Sequence, residues 1–212
     1  MGSLFRLNSP LFRFLSKTVD IVMLNFLFII CSIPIITIGV SFTALYTVSM
    51  KIVRGEDYYI WREFFKAIRK NIYQSTIIWI LICLVGFILF ADFYFLSNFT
   101  GIVKIFFFCL SVIFLFLYIT ISIFVFPYIA RFEDSIQKVL LNSLLIPLFH
   151  FPYLLLIMGF TVICFLSFVS SFAGFLSGIY IATFGGFALF SLLLSLIFKK
   201  IFSKYEAPKV YA

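Results

Sequence analysis

Residues 19–50 read VDIVMLNFLFIICSIPIITIGVSFTALYTVSM, and Asp20 is the only charged residue among them. An α-helix rises 1.5 Å per residue, so about 20 apolar residues are needed to cross the roughly 30 Å hydrocarbon layer of a membrane. This block of 32 residues is therefore too long for one straight crossing and short for two complete ones. The number of times that it crosses decides the topology of the whole chain.

Basic residues flank this block on both sides, and they settle the choice. Lys and Arg collect in the cytoplasmic loops of membrane proteins. A single crossing would put the basic tail 1–18 and the basic loop 51–70 on opposite sides of the membrane. A hairpin puts both in the cytoplasm, together with 15 of the 16 Lys and Arg residues, and leaves only Lys104 outside. We therefore predict a hairpin, either fully crossing or re-entrant.

The predicted hairpin consists of Val19–Ile33 and Ile35–Met50. Pro34 and Gly39 are expected to form its turn, because Pro cannot donate a backbone hydrogen bond and Gly relaxes the local geometry. Four further apolar runs are long enough to cross the membrane: Ile72–Ala91, Ile105–Phe126, Leu144–Leu166 and Phe172–Phe198.

The composition agrees with a membrane protein. Hydrophobic residues make up 64% of the chain and charged residues 11%, against about 45–50% and 25% in soluble domains. We predict an all-α polytopic bundle of about six membrane segments that forms a single integral membrane domain (residues 1–212). Both the tail 1–18 and the tail 199–212 are expected in the cytoplasm. The net charge of +8 is explained by topology and by contact with anionic membrane lipid, so no nucleic acid partner is implied.

Two amphipathic helices are predicted on the cytoplasmic side, at 56–71 and 132–143. In the first, Ile60, Trp61, Phe64, Phe65 and Ile68 share one face, and Arg62, Glu63, Lys66, Arg69 and Lys70 lie opposite. A basic amphipathic helix suits the membrane interface, and it suits docking of a partner equally well.

The second helix repeats a motif of the first. Arg131-Phe132-Glu133-Asp134 echoes Arg54-Gly55-Glu56-Asp57, and both motifs join an inward span to an outward one, which indicates a weak internal duplication. Asp134 and Gln137 have the spacing of a capping box. The candidate residues for docking a partner are Arg54, Glu56, Asp57, Trp61, Arg62, Phe65, Lys66, Arg69, Arg131 and Asp134.

Small residues recur every fourth position along the last span. The stripe consists of Ser170, Gly174, Gly178, Ala182 and Gly186. Small residues at this spacing let helix backbones approach closely in a membrane. Packing within this chain is the preferred interpretation, and packing against another chain is the alternative.

The groups that chemistry requires are missing from the apolar runs. No nucleotide-binding Gly-rich loop, no zinc motif and no nucleophile motif occurs, and the four Cys residues are dispersed without metal-ligand spacing. His150 is the only histidine, and a structural role is the preferred reading for it. We therefore predict no catalytic residues, no metal and no cofactor, and we expect that the protein is not an enzyme.

The first third of the chain closely resembles the YesL-like family of bacterial membrane proteins. The resemblance rests on Ser9-Pro10-Leu11-Phe12-Arg13, Leu24-Asn25, Cys31-Ser32-Ile33-Pro34, Thr43-Ala44-Leu45-Tyr46, Val53-Arg54-Gly55-Glu56-Asp57 and Gln74-Ser75-Thr76. It implies a small multi-pass protein of the bacterial cytoplasmic membrane, often encoded beside carbohydrate ABC importers. It carries over no active site.

Together these features lead us to expect a non-enzymatic accessory subunit of an oligosaccharide ABC importer. The expected partners are the permease, the ATPase or both, contacted through membrane helices and cytoplasmic helices. The alternatives are an autonomous facilitator for a neutral small molecule, which the lack of intramembrane charge disfavours, and a membrane scaffold for a sugar-sensing histidine kinase.

Overall fold

The computed structural model describes residues 10–96 and 99–205; the remaining parts of the predicted tails lie outside the described residues. Every regular element in this part of the chain is helical, which confirms the all-α prediction. Six helical stretches are long and apolar enough to cross a membrane, as the sequence predicts. The helices are α1 (Pro10–Ser32), α2 (Ile38–Arg54), α3 (Ile60–Leu96), α4 (Gly101–Arg131), α5 (Ile136–Phe149), α6 (Phe151–Val169), α7 (Phe172–Ile181) and α8 (Phe187–Phe202).

One end of the bundle collects most of the charge. Lys51 of α2 pairs with Glu63 near the start of α3 at 2.6 Å, and Lys70 of α3 pairs with Glu133, just after α4. Lys199 of α8 donates a hydrogen bond to the carbonyl of Val53 at 3.2 Å. We call this end, formed by the ends of α2, α4 and α8 and the start of α3, the charged end.

The predicted amphipathic helix 56–71 is not a separate element. Gly55 ends α2 in the left-handed region (φ 70°), and α3 then begins at Ile60, not at residue 56. From there α3 continues through the charged turns into the apolar span and ends at Leu96, a length of about 55 Å. No Pro and no turn sequence separates the two parts, so the change from charged to apolar residues marks a change of environment within one helix.

The second amphipathic helix and the fifth span also differ from their predicted bounds. Phe132 is extended (φ −116°, ψ 145°), so the predicted helix 132–143 begins only at Ile136 and then runs to Phe149. The predicted span Leu144–Leu166 is broken at His150, and α6 starts afresh at Phe151 with Pro152 in its first turn. Pro152 has no N–H to donate to the preceding turn, which makes this the place where one helix ends and another begins.

The hairpin of α1 and α2 turns at Pro34, through a short 3₁₀ turn at Ile35–Thr37. The sequence predicted that Gly39 also forms part of the turn, and this is wrong. Gly39 lies inside α2, at a close contact with another helix. A Cβ atom at Gly39 would lie 2.6 Å from the Cβ of Trp79 and 2.8 Å from the carbonyl oxygen of Ser75. The absent side chain therefore allows α2 to pack closely on α3.

The last predicted span is also discontinuous. Residues Ala182–Gly186 form a π-helical segment in which Gly185 leaves helical geometry, and this segment joins α7 to α8.

The buried core lies on both sides of α2. One cluster joins it to α1 and the first turns of α3, and the other joins α4, α6 and α8 around Phe124, Phe198 and Phe202.

Candidate functional site at the charged end

A cleft of about 260 Å³ opens between α2, α3 and the end of α4 at the charged end. It brings the two Arg-x-Glu-Asp motifs together, because one lies at the end of α2 and the other at the end of α4. Arg54 and Glu56 contribute from the first motif, and Arg131 and Glu133 from the second. We call this site the cleft. It is also lined by Thr47, Lys51, Glu63, Lys66, Ala67, Lys70, Asn71, Ile129 and Ala130.

Three ion pairs lie along the cleft. Besides the pairs Lys51–Glu63 and Lys70–Glu133, the Nε atom of Arg54 lies 3.1 Å from Glu56. The Lys51–Glu63 pair is the more enclosed, with side chains 25% and 17% exposed. Five cationic side chains line the cleft, together with three carboxylates.

Asp134 has a structural position beside the cleft. Its carboxylate accepts a hydrogen bond from the Tyr128 hydroxyl at 2.6 Å, and that hydroxyl accepts one from Asn142 at 2.7 Å. The Nε2 atom of Gln74 donates to the backbone carbonyl of Asp134 at 2.6 Å. The N-cap of α5 is Ser135 and makes no side-chain capping bond, so the predicted capping box of Asp134 and Gln137 is wrong. Asp134 instead ties α5 to α3 and α4.

The other predicted docking residues line a second, more open groove of about 550 Å³ on the outside of α3. Trp61 and Phe65 lie one helical turn apart with ring centroids at 4.8 Å, and the Trp61 side chain is 59% exposed. We call this the α3 groove, lined by Trp61, Arg62, Phe65, Lys66 and Arg69. Asp57 is exposed in the turn before α3 and lines neither site.

The turn before α3 is fastened to α1 by a tyrosine. The Tyr58 hydroxyl donates a hydrogen bond to Asp20 at 2.8 Å. Burial, followed by the hydrogen bond and charge of Asp20, raises the pKa of Tyr58 to about 12. The hydroxyl therefore stays protonated at neutral pH, and it holds the beginning of α3 against the hairpin.

Asn25 is a buried polar residue that the sequence reasoning did not single out. Its Nδ2 atom donates to the carbonyls of Ala182 and Thr183, both at 2.9 Å. Its Oδ1 atom accepts from the backbone N–H groups of Phe187 and Ala188, at 3.1 and 3.2 Å. The side chain is completely buried, and all four hydrogen-bonding positions of the amide are used. Asn25 thus bridges the break between α7 and α8.

The small-residue stripe is interrupted at this break. A Cβ atom at Gly174 would lie 2.5 Å from the carbonyl oxygen of Ser167, and one at Gly178 would lie 2.7 Å from the ring of Phe168. These two glycines therefore allow α7 to approach the end of α6 within the same chain. Ala182 and Gly186 belong to the π-helical segment, and Gly186 faces Ile181 of its own helix.

Comparison with known proteins gives one match. Residues 21–93 match the family model described as "Protein of unknown function, DUF624". No curated protein and no solved structure matches the chain. The matched residues include the hairpin from residue 21 onwards, Asn25 and the α3 groove, whereas the part of the cleft that α4 contributes lies beyond them.

Several residues of these sites have sequence signals that are visible in retrospect. Asn25 is an amide within an apolar run, and a buried amide requires hydrogen-bond partners. Lys51, Lys70 and Glu133 lie next to the ends of apolar runs, but the sequence does not show that those ends meet. Only the packing of α2, α3 and α4 brings them together.

Proposed function

We propose that this protein is a non-enzymatic accessory subunit of a bacterial carbohydrate ABC importer. In this proposal the charged end faces the cytoplasm, and the α3 groove binds the ATPase or the cytoplasmic surface of the permease. The resemblance of the first third of the chain to the YesL-like family supports the assignment. The observation that carries the proposal is the position of Trp61.

Trp61 lies far outside the apolar part of α3. It precedes Ile72, where the apolar run begins, by 11 residues, or about 16 Å along the helix. The headgroup layer on one side of a bilayer is only about 5–7 Å thick. An aromatic residue that anchors a helix at the interface belongs within that layer. Trp61 extends beyond it, even if the helix is tilted by about 20°.

The composition of the α3 groove fits a protein partner. The α3 groove combines the exposed Trp61, beside Phe65, with the guanidinium groups of Arg62 and Arg69. Trp and Arg are among the residue types that contribute most to binding in protein interfaces. Tyr59, immediately before α3, is also 77% exposed. Because Ile60 and Phe64 are buried against the hairpin, the groove rests on a fixed part of the helix.

Co-purification tests the proposal. A tagged copy of the chain, expressed with the importer encoded beside it, should retain the permease and the ATPase in mild detergent. Trp61→Ala with Arg62→Glu should release them, whereas Lys104→Glu, in the first turn of α4 and away from the groove, should not. Recovery of the native chain alone, while the importer itself stays intact, would contradict the proposal.

The broken last helix favours a second candidate, a facilitator for a neutral small molecule. Discontinuous membrane helices form substrate sites in many transporters, because their free backbone groups bind the substrate. Here the groups at the break bond Asn25, which makes this candidate the weaker one. Uptake of a neutral sugar by vesicles that contain only this chain would favour it, and an absence of flux would count against it.

A further inference from the structure

We propose that the cleft binds the phosphate-bearing headgroup of an anionic membrane lipid, with an acyl chain of that lipid in an apolar groove between α3, α4 and α5. The inference does not depend on the importer proposed above. It rests on the charge of the cleft, its position along α3 and α4, and the apolar groove that follows it.

The cleft is lined by more cationic side chains than carboxylates. Lys51, Arg54, Lys66, Lys70 and Arg131 line it, against Glu56, Glu63 and Glu133. Glu133 is 77% exposed and Lys70 is 51% exposed, so the pair between them is open to exchange with an external anion. An exposed ion pair is worth little, and a phosphate can replace its carboxylate at small cost. The side-chain amide of Asn71 offers a further polar group.

The innermost part of the cleft adjoins the apolar runs, at the depth expected for lipid phosphates. Lys70 and Asn71 immediately precede the apolar run that starts at Ile72, and Arg131 is the last residue of the apolar helix α4. From Ile72 to Asp92 is 20 residues, or about 30 Å, which equals the thickness of the hydrocarbon layer. Basic pockets between membrane helices at this level are typical sites for anionic headgroups.

A separate apolar groove of about 400 Å³ lies between α3, α4 and α5, further towards the other end of the bundle. Leu81 lies 11 residues after Lys70, close to three full turns, so both project from the same face of α3, about 16 Å apart. Leu140 and Leu144 of α5 form the opposite wall. The remaining lining residues are Ile82, Val85, Leu89, Phe114, Leu117, Tyr118 and Ile121.

The presence of both sites on the same face of α3 points to a lipid as the ligand. A free phosphate or an acidic peptide would use the cations of the cleft alone. A phospholipid uses both sites, because its acyl chain starts within a few ångströms of its phosphate and extends into the hydrocarbon layer. Val85 lines the groove without lining the cleft, and Lys70 lines the cleft without lining the groove. The two parts can therefore be changed separately.

The experiment uses the full chain in bilayer nanodiscs of phosphatidylcholine that contain about 20 mole per cent of the anionic lipid phosphatidylglycerol. After extraction into a neutral detergent, native mass spectrometry counts the phosphatidylglycerol molecules that remain bound to each chain. We expect retention of phosphatidylglycerol over phosphatidylcholine. Lys70→Gln with Arg131→Gln should lower the apparent affinity about tenfold, since each removed cation weakens the attraction to anionic lipid.

Three further variants make the test specific. Glu133→Gln removes a competing carboxylate and should strengthen retention, a gain that a misfolded variant would not produce. Lys104→Gln removes a cation from the first turn of α4, far from the cleft, and should change nothing. Val85→Trp fills the groove and should weaken phosphatidylglycerol binding while the cleft stays intact.

Two outcomes would overturn the inference. Equal retention of phosphatidylglycerol and phosphatidylcholine by the native chain would show that the cleft does not select an anionic headgroup. The second outcome has two parts: free glycerol phosphate, at the same concentration as the lipid, protects the chain against thermal unfolding, and Val85→Trp does not weaken phosphatidylglycerol binding. Together these results would identify a free anion as the ligand.

Discussion

Replacing Asn25 with leucine removes the amide that bridges α7 and α8 and keeps the number and branching of the side-chain heavy atoms. The change leaves two backbone carbonyls and two backbone N–H groups without the partner that they now have. Hydrogen bonds between membrane helices average roughly 0.6 kcal/mol, so four of them contribute about 2.4 kcal/mol. Complete burial of the site raises the expected loss towards about 5 kcal/mol, because buried polar groups without partners are costly.

Reversible unfolding in mixed detergent micelles, with added sodium dodecyl sulfate as the denaturant, measures this loss. Asn71→Leu is the matched control, because the Asn71 amide donates a single bond, at 3.1 Å, to the Ala67 carbonyl of its own helix. We expect Asn71→Leu to lower the free energy of unfolding by less than about 1 kcal/mol. Hydrogen exchange at the amides of Phe187 and Ala188 should accelerate only in Asn25→Leu.

If Asn25→Leu lowers the free energy of unfolding no more than Asn71→Leu does, Asn25 does not stabilise the break between α7 and α8. Unchanged exchange at Phe187 and Ala188 would also contradict this role, because the lost stability would then arise elsewhere in the bundle. Both results can be obtained from the same preparations.

Three other predictions concern the hairpin and its contacts with α3 and with the turn before α3. Gly39→Ala should lower the free energy of unfolding by about 1–3 kcal/mol, because the new methyl group overlaps Trp79 and the Ser75 carbonyl. Tyr58→Phe should lower it by about 1 kcal/mol, since the Asp20 carboxylate loses its donor. The pKa of Tyr58 is raised in the folded protein, so this contribution is present below pH 10 and is lost as the pH rises through about 12. A cysteine at Ile33, in a chain whose four native cysteines are replaced, should resist a membrane-impermeant maleimide added on either side, because the tip of a re-entrant hairpin lies in hydrocarbon.

Each of these has its own control. Gly159→Ala adds the same methyl group where nothing lies within 4 Å, so equal destabilisation by the two alanines would contradict the packing argument. If the free energy of unfolding depends on pH in the same way above pH 10 in the native chain and in Tyr58→Phe, Tyr58 does not have the role assigned to it. A cysteine at the exposed Asp57 should react readily, and reaction of the cysteine at position 33 from the side opposite to Asp57 would show that the hairpin crosses completely.

Apolar runs were enough to predict six helices that are long and apolar enough to span a membrane, because hydropathy measures directly how well a segment tolerates lipid. They were a poor guide to where helices begin and end. In α3 the residues change from charged to apolar without any helix-breaking residue between them, so one helix passes through two environments. At His150 the reverse holds, since both sides are apolar and Pro152 ends the continuity.

The sites at the charged end depend on contacts between distant parts of the chain. The repeated Arg-x-Glu-Asp motif was visible in the sequence, but the shared cleft exists only because α2 and α4 both pack on α3. The break in the last helix was hidden for a different reason. A stripe of small residues predicts close packing, and the same small residues also permit a π-helical segment that another helix must stabilise. Asn25 supplies that stabilisation from 157 residues away in sequence.

Charge sorting places both ends of the hairpin on one side, but it does not determine how deep the hairpin reaches. The contacts of its tip do. The indole N–H of Trp79 donates to the carbonyl of Ile35 at 2.9 Å, and Trp79 is only seven residues, or about 10 Å, beyond Ile72. Ile33 and Ile35 at the tip are 75% and 72% exposed. The hydroxyl of Thr37 satisfies the carbonyls of Cys31 and Pro34, so the turn needs less water than an ordinary loop. An apolar, internally bonded tip at that depth suits a re-entrant hairpin, which leaves the polar surface of the hairpin at the charged end.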